Sequence, residues 1–206
     1  MVKIIGYGSL LNPDEIRKIS SEGGAPKPVL VKDFERVLNV VSASARWNVR
    51  GLTVGGFGIQ EKPGAKMCAV VYDLNDAEFE AFKKREEEYT FPKVKVVSFN
   101  GERDMAKAFI AMPKKPNKSI RPIPGYVAKC LLGVKRLDEK FGLNGAFVEN
   151  FRRTSFTAEG LSLNDYIKKV RKEMGRVRNL PRSEKIALSE RKRQQWEREK
   201  KRRPRK

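Results

Sequence analysis

The chain has 206 residues, of which 45 are Lys or Arg, 25 are Asp or Glu, two are Cys and none is His, so its net charge is +20. Its apolar content of 39% is enough for a folded core, which excludes wholesale disorder. The absence of histidine excludes Ser–His and Cys–His nucleophile pairs and His-ligated zinc, so acid–base chemistry must use Asp, Glu, Lys, Tyr or Cys.

The first half of the chain predicts mainly β-strands. A strand at 2–6 leads into a glycine-containing turn at 7–10, and no cleavage-site pattern of a signal peptide follows it. Asn12 and Pro13 are typical of a helix start, the first as N-cap and the second at the first helical position. Later strands are predicted at 29–31, 36–41, 52–60, 67–74, 94–99 and 106–112, with a turn at 61–65.

Helices predominate after these strands. They are predicted at 75–88, 125–139, 143–153 and 162–174, with a Pro-rich loop at 113–124. No apolar run approaches the roughly 20 residues that span a bilayer, so we expect no membrane span. Many short strands followed by helices predict a mixed α+β fold, a small, partly closed β-barrel with flanking helices.

The two cysteines predict neither a metal site nor a redox centre. Cys68 lies in an apolar strand and Cys130 in an apolar helix, and neither belongs to a CxxC pair. We interpret both as buried, reduced thiols. Because nothing in the cysteine usage indicates an oxidising compartment, we expect a cytoplasmic protein.

The positive charge is concentrated in the last fifth of the chain. Residues 166–206 contain 18 basic and 5 acidic residues, a net of +13, which leaves +7 for residues 1–165. We therefore predict a folded domain at 1–165 and a basic, helical or disordered tail at 166–206. The tail is compatible with nonspecific contact to RNA or another polyanion, and equally with a solvated, solubilising role.

The glycine-containing turn is the most informative segment. A strand that enters a helix through Tyr7, Gly8, Ser9 and Leu10, here named the 7–10 loop, directs backbone N–H groups and the Ser9 hydroxyl at a ligand. The expected ligand is a carboxylate or a phosphate. Leu11 stands where the third glycine of a dinucleotide-binding motif belongs, and no GK[ST] follows, so neither nucleotide motif is present. A tight strand–helix connection would also need these glycines.

A carboxylate is predicted on the apolar face of the helix at 75–88. At 100° per residue, Phe79, Phe82 and Glu86 lie within about 60° of one another. A glutamate beside two phenyl rings is partly desolvated, which raises its pKa and suits proton exchange near neutral pH. The alternative is a solvated charge run, in which Glu86 reaches sideways to Lys83 or Arg85.

Taken together, these residues resemble the γ-glutamylcyclotransferase superfamily, including its ChaC-like and AIG-like branches. The 7–10 loop is similar to the superfamily's YGS[LN] loop. Phe82-x3-Glu86-x2-Tyr89, followed by a strand, is similar to its helix-borne glutamate, aromatic and strand. The third and weakest similarity joins Pro124-Gly-Tyr126 to Arg153-Thr-Ser-Phe156. The resemblance covers about residues 1–165.

The resemblance implies a small α/β barrel and an enzyme that releases 5-oxoproline from a γ-glutamyl amine or peptide. Tyr7, Gly8, Ser9 and Leu10 would bind the α-carboxylate and amine end of the substrate, with Arg36 as a candidate pocket cation. Glu86 would be the general acid/base, with no cofactor and no metal. Glu87 and Glu88 follow where the family often has glycine, so they remain alternatives for that role.

Two alternatives remain open at the level of the sequence. The same scaffold could be a non-enzymatic binding module whose basic tail docks RNA or another polyanion. It could also be a related lyase that acts on a γ-glutamyl amine other than glutathione. Tyr7 either closes over the substrate or packs in the core, and we interpret Tyr126 as packing.

Overall fold

The computed structural model describes residues 1–20, 25–41, 54–100, 103–114, 116, 120–122 and 124–179. The strands are β1 (Val2–Gly6), β2 (Lys27–Val41), β3 (Val54–Leu74), β4 (Tyr89–Thr90), β5 (Lys93–Ser98), β6 (Asp104–Ile110), β7 (Met112–Pro113), β8 (Arg121–Pro122) and β9 (Ser155–Thr157). The α-helices are α1 (Pro13–Ile16), α2 (Asp76–Arg85), α3 (Pro124–Lys140), α4 (Ala146–Arg153) and α5 (Leu163–Asn179). Positions 52–53 of one predicted strand, and 180–206 of the predicted tail, lie outside the described residues.

Five strands close into a barrel. The order β3-β1-β6-β5-β2 is completed by pairing of β2 with β3. Within this ring β1 and β6 are parallel, and the other neighbours are antiparallel. β9 and β8 extend the sheet from β2 and β3 as parallel additions. The mixed α+β barrel predicted from the sequence is confirmed, and the ring is fully closed.

The strands β2 and β3 are longer than the sequence pattern indicates. Each was predicted as two strands, yet pairing is continuous along β2 and β3 apart from two irregularities. At the larger one, residues 62–65 stand opposite Asp33 alone, because Lys66 pairs with Lys32 and Glu61 pairs with Phe34. The turn predicted at 61–65 is therefore a four-residue bulge in β3, in which the Gly64 N–H donates to Asp33 Oδ1 at 2.8 Å.

The bounds of several helices differ from the predicted ones. Asn75 caps α2 through a capping box with Glu78, but the helix ends at Arg85, so the prediction of a helix to Glu88 is wrong by three residues. α1 is a single turn. α5 continues through the domain boundary that we predicted at 165/166. None of the described helices is long and apolar enough to cross a membrane.

The barrel interior and the inner faces of α3 and α4 form one core. Its largest fully buried side chains include Tyr72, Phe82, Phe147 and Phe151, and also the charged side chain of Arg36. Cys68 and Cys130 are buried and unpaired, as predicted. Tyr7, Leu10 and Leu11, in the turn that follows β1, belong to this core.

Candidate active site

The 7–10 loop follows β1 directly and folds back on it. A Cβ atom at Gly6 would lie 2.8 Å from Leu10 Cβ, so only glycine permits this return. A Cβ atom at Gly8 would lie 3.0 Å from the Tyr126 hydroxyl. The two glycines thus allow a close approach of backbone to backbone and of backbone to a phenol.

Core side chains fix the backbone of the loop. Arg36 Nε donates to the Tyr7 carbonyl at 2.7 Å, and the Tyr72 hydroxyl donates to the Leu10 carbonyl at 2.8 Å. Within the loop, the Leu11 N–H donates to the Gly8 carbonyl at 3.1 Å. Because these donors are buried, the position of the loop is set by the fold itself.

The loop also has donors that no group in the described part of the chain uses. Within the described ranges, the backbone N–H groups of Ser9 and Leu10 and the hydroxyl of Ser9 meet no hydrogen-bond acceptor. Ser9 and Leu10 begin the 3₁₀ turn Ser9–Leu11, and the first N–H groups of a helical turn have no partner within it. The loop can therefore receive a carboxylate without a cationic side chain.

A cleft separates this loop from the end of α2 and holds about 360 Å³ of space, solvent at its mouth included. Its lining comprises Ile5, Tyr7, Gly8, Ser9, Leu10, Phe57, Phe82, Glu86, Tyr89, Ala111 and Tyr126. Glu86 is the single formally charged side chain among the described residues of this lining. Elsewhere, no three His, Cys, Asp or Glu side chains of the described residues are grouped so that they could hold a metal ion.

Glu86 sits at the C-cap of α2, where its N–H donates to the Phe82 carbonyl at 3.0 Å. Its side chain is 19% exposed, and Arg85 Nε lies 3.2 Å from its Oε1. Burial raises the pKa of Glu86, and the Arg85 charge opposes this shift. Glu86 thus combines features of the two interpretations made from the sequence. It lines the cleft beside Phe82, and it also pairs with Arg85. Glu87 and Glu88 are exposed and outside the lining.

Three phenols share the cleft with this carboxylate. The Tyr7 hydroxyl donates to the Ala111 carbonyl at 2.6 Å, and the Tyr126 hydroxyl accepts from the Phe57 N–H at 3.1 Å. Burial raises the pKa of Tyr7, Tyr89 and Tyr126, so all three stay protonated near neutral pH. Tyr7 packs in the core and lines the cleft at once, and Tyr126, which we interpreted as packing, lines the cleft as well.

Arg36 lies behind the loop and does not line the cleft. It is fully buried. Its guanidinium donates to Thr154 Oγ1 at 3.0 Å, to Ser155 Oγ at 3.1 Å and to the Cys68 carbonyl, and it lies 4.5 Å from the centroid of the Phe151 ring. The structure thus gives the predicted pocket cation no direct access to a ligand, and joins it to the loop through the Tyr7 carbonyl.

Phe57 and Ala111 line the cleft although neither was predicted from the sequence, and Tyr89 was predicted only as part of a motif. Phe57 reaches the cleft from β3, and its N–H is bound by Tyr126, 69 positions along the chain. Such long-range pairings leave no local signal. Tyr89 did have a local signal in the sequence, because it follows Glu86 closely and precedes a predicted strand.

The chain resembles known proteins in its structure. No family model matches the chain, and no curated protein matches it. A solved γ-glutamyl cyclotransferase superposes with a TM-score of 0.60 at 18% identity, over 74% of this chain and 87% of that one. The chain has the γ-glutamyl cyclotransferase fold.

Two further solved structures share this fold. The Homo sapiens protein loc79017 gives a TM-score of 0.60 at 19% identity, over 74% of this chain and 87% of that one. YkqA from Bacillus subtilis gives 0.53 at 15% identity, over 69% of this chain and 53% of that one. The superfamily fold implied by the 7–10 loop and Glu86 is thereby confirmed, while identities this low carry the fold alone.

Proposed function

We propose that the cleft binds a γ-glutamyl group and releases 5-oxoproline from it, with Glu86 as the general acid/base. The observation that carries this proposal is the arrangement of the cleft. A single, partly desolvated carboxylate faces a loop that has unused N–H donors. The fold of a solved γ-glutamyl cyclotransferase supports the same assignment.

The loop would hold the α-carboxylate of the substrate. The N–H groups of Ser9 and Leu10 and the Ser9 hydroxyl supply three donors without a counter-charge. The cleft is open to solvent at its mouth. It suits the glutamyl part of the substrate, with the amine part directed to the mouth.

The reaction needs orientation and one proton carrier. Ionised Glu86 accepts a proton from the α-ammonium group, and the free amine attacks the γ-carbonyl carbon. The γ C–N bond then breaks as Glu86 returns the proton to the leaving nitrogen. The second proton of the attacking nitrogen passes through the same carboxylate to the released amine, so the ring nitrogen of the product keeps one. The products are 5-oxoproline and the free amine, and no water is consumed. Holding the amine against the carbonyl in one cleft supplies most of the acceleration in intramolecular reactions of this kind.

The raised pKa of Glu86 suits this role. A carboxylate with an ordinary pKa is a weak base at neutral pH, whereas desolvation makes Glu86 a better proton acceptor. The activity is expected to rise with pH as Glu86 ionises. The protonated phenols around it offer hydrogen bonds without competing for the proton.

The test is 5-oxoproline release from glutathione, γ-glutamyl dipeptides and γ-glutamyl-lysine derivatives, measured by mass spectrometry. We expect product from at least one of them, and a loss of about 10³-fold in kcat for Glu86→Gln. Glu87→Gln and Glu88→Gln are the matched controls and should retain activity, because both side chains are exposed outside the cleft. No product from any substrate by the folded chain would contradict the proposal.

The other assignments from the sequence stay predictions. These are the superfamily branch, the leaving group, the cytoplasmic location and the division at 165/166. The RNA- or polyanion-binding module also stays a prediction, because most of the basic tail lies outside the described residues.

A further inference from the structure

A chain of charged groups connects Glu86 to the helix that follows the 7–10 loop. Arg85 Nε lies 3.2 Å from Glu86 Oε1. At its other end, Arg85 Nη1 donates to the Glu15 carbonyl at 3.3 Å and Nη2 lies 3.8 Å from Glu15 Oε2. One guanidinium therefore spans from the end of α2 to α1.

Glu15 gives this guanidinium a fixed anchor. Its side chain is 9% exposed and accepts from Lys129 Nζ of α3 at 2.7 Å, and also from Lys18 Nζ. Burial alone would raise the pKa of Glu15, but the hydrogen bonds from Lys129 and Lys18 lower it overall. Glu15 is therefore ionised at neutral pH and joins three helices.

We propose that Arg85 is a positioning residue, which holds the Glu86 carboxylate in the cleft and sets the pH at which it accepts a proton. The catalytic part of this proposal rests on the proposed function, in which Glu86 is the general acid/base. Arg85 occupies Oε1, and no group in the described part of the chain donates to Oε2 of Glu86. One carboxylate oxygen is thus fixed and the other is left for the substrate.

Burial has the larger effect on the pKa of Glu86 and raises it, and Arg85 is the nearby charge that opposes this shift. Among the described residues that line the cleft, the other titratable groups are the phenols of Tyr7 from the loop, Tyr89 from β4 and Tyr126 from α3, which are neutral because burial raises their pKa. Lys114 is directed to the Glu87 carbonyl. Burial and the Arg85 charge therefore act in opposite directions on Glu86.

The experiment replaces Arg85 by Met, Gln and Lys, with Lys84→Met as the matched control. Lys84 is the preceding residue of α2, is exposed and makes no ion pair with the described residues, so the control changes the net charge equally. Two readouts are used: the pH dependence of kcat/KM, and the carboxyl ¹³C NMR titration of Glu86, assigned with Glu86→Gln.

In Arg85→Met we expect the Glu86 titration and the rising limb of kcat/KM to move up together by about one pH unit. At pH values on the acidic side of that limb, kcat of Arg85→Met should be about tenfold lower than that of the wild type, while KM changes little. Arg85→Lys should return the rising limb of kcat/KM towards the wild-type position. The rising limb of Lys84→Met should coincide with that of the wild type. Arg85→Gln gives the same comparison if the Met variant fails to fold.

An unchanged Glu86 titration in both Arg85→Met and Arg85→Gln would overturn the inference. So would an equal shift in Lys84→Met, which would reduce the effect to net charge. The NMR titration does not require turnover. A chain that releases no 5-oxoproline but shows the shift would therefore contradict the proposed function and leave the Arg85 assignment supported.

Discussion

The two walls of the cleft are built by different forces. The 7–10 loop is fixed by hydrogen bonds from Arg36 and Tyr72, whose side chains are buried in the core. Glu86 on the opposite wall is fixed by Arg85, whose side chain is 31% exposed. One wall is thus a product of core packing, and the other depends on a solvent-screened ion pair.

Because of this difference, substitutions in the two walls should have different effects on stability and on catalysis. Because exposed ion pairs contribute little to stability, residues of the α2 wall should change the reaction with little effect on folding. Residues of the loop wall should change the free energy of unfolding first. Four substitutions test this separation, and their expected effects on unfolding decrease from the first to the last.

Arg36→Met should give the largest effect. Removing the guanidinium leaves the carbonyls of Tyr7 and Cys68 and two hydroxyls without their donor, so we expect a loss of about 3 kcal/mol or more. Urea unfolding followed by circular dichroism measures it. Arg17→Met is the control, since that side chain is 72% exposed. Equal stability of the two variants would erase the contrast between the walls.

Gly6→Ala should cost about 1–3 kcal/mol. The added methyl group would meet Leu10 Cβ at 2.8 Å and the Leu10 carbonyl oxygen at 3.1 Å, so the loop must move. The same displacement should raise KM for a γ-glutamyl substrate. Thermal unfolding and substrate titration check both effects. A variant with wild-type melting temperature and KM would show that the loop has freedom that its contacts do not indicate.

Tyr7→Phe should cost about 1–2 kcal/mol, because the buried Ala111 carbonyl loses its donor. Tyr89→Phe is the matched control within the same cleft, since the Tyr89 hydroxyl has no hydrogen-bond partner among the described residues. Chemical denaturation compares the two. A larger loss for the Tyr89 variant would reverse the assignment of the stable wall.

Glu86→Gln should leave stability unchanged or slightly increased at neutral pH. The pKa of Glu86 is raised on folding, so the folded state binds the proton more tightly than the unfolded state does. Wild-type stability therefore falls as pH rises from the ordinary glutamate pKa through the folded one, and the uncharged variant lacks this fall. Melting temperatures across that interval measure the difference, and a clear destabilisation of the variant at pH 7 would contradict it.

The same division explains how far the sequence alone can lead. The 7–10 loop and Glu86 were predicted because each has a local signal: a strand, glycines and a helix start for the first, and helical periodicity with Phe79 and Phe82 for the second. Arg85 appeared only as one alternative partner of Glu86. Its anchor, Glu15, is distant in sequence and could not be found from spacing.

The fold class was predictable, and the strand boundaries were not. Charged residues at 32, 33 and 35 interrupt the apolar pattern of β2, which split one strand into two predictions. In the structure β2 and β3 stay paired on both sides of this interruption, and a bulge lies between the two paired segments. At the bulge Asp33 has a positive φ of 65° and stands opposite residues 62–65. Closure of the barrel by β2 and β3 likewise depends on pairing that no local pattern encodes.

The hydrogen bonds of the loop wall also predict an order of events during folding. The Tyr7–Ala111 bond joins positions 104 residues apart, and the Arg36–Thr154 bond joins positions 118 apart. Contacts of such high sequence separation close late, because the entropy of long chain segments must be lost first. A nascent chain that has not yet emerged through β9 therefore lacks a finished ligand loop. Folding intermediates should accordingly be unable to bind a γ-glutamyl ligand, so binding competence would mark the last step of barrel assembly.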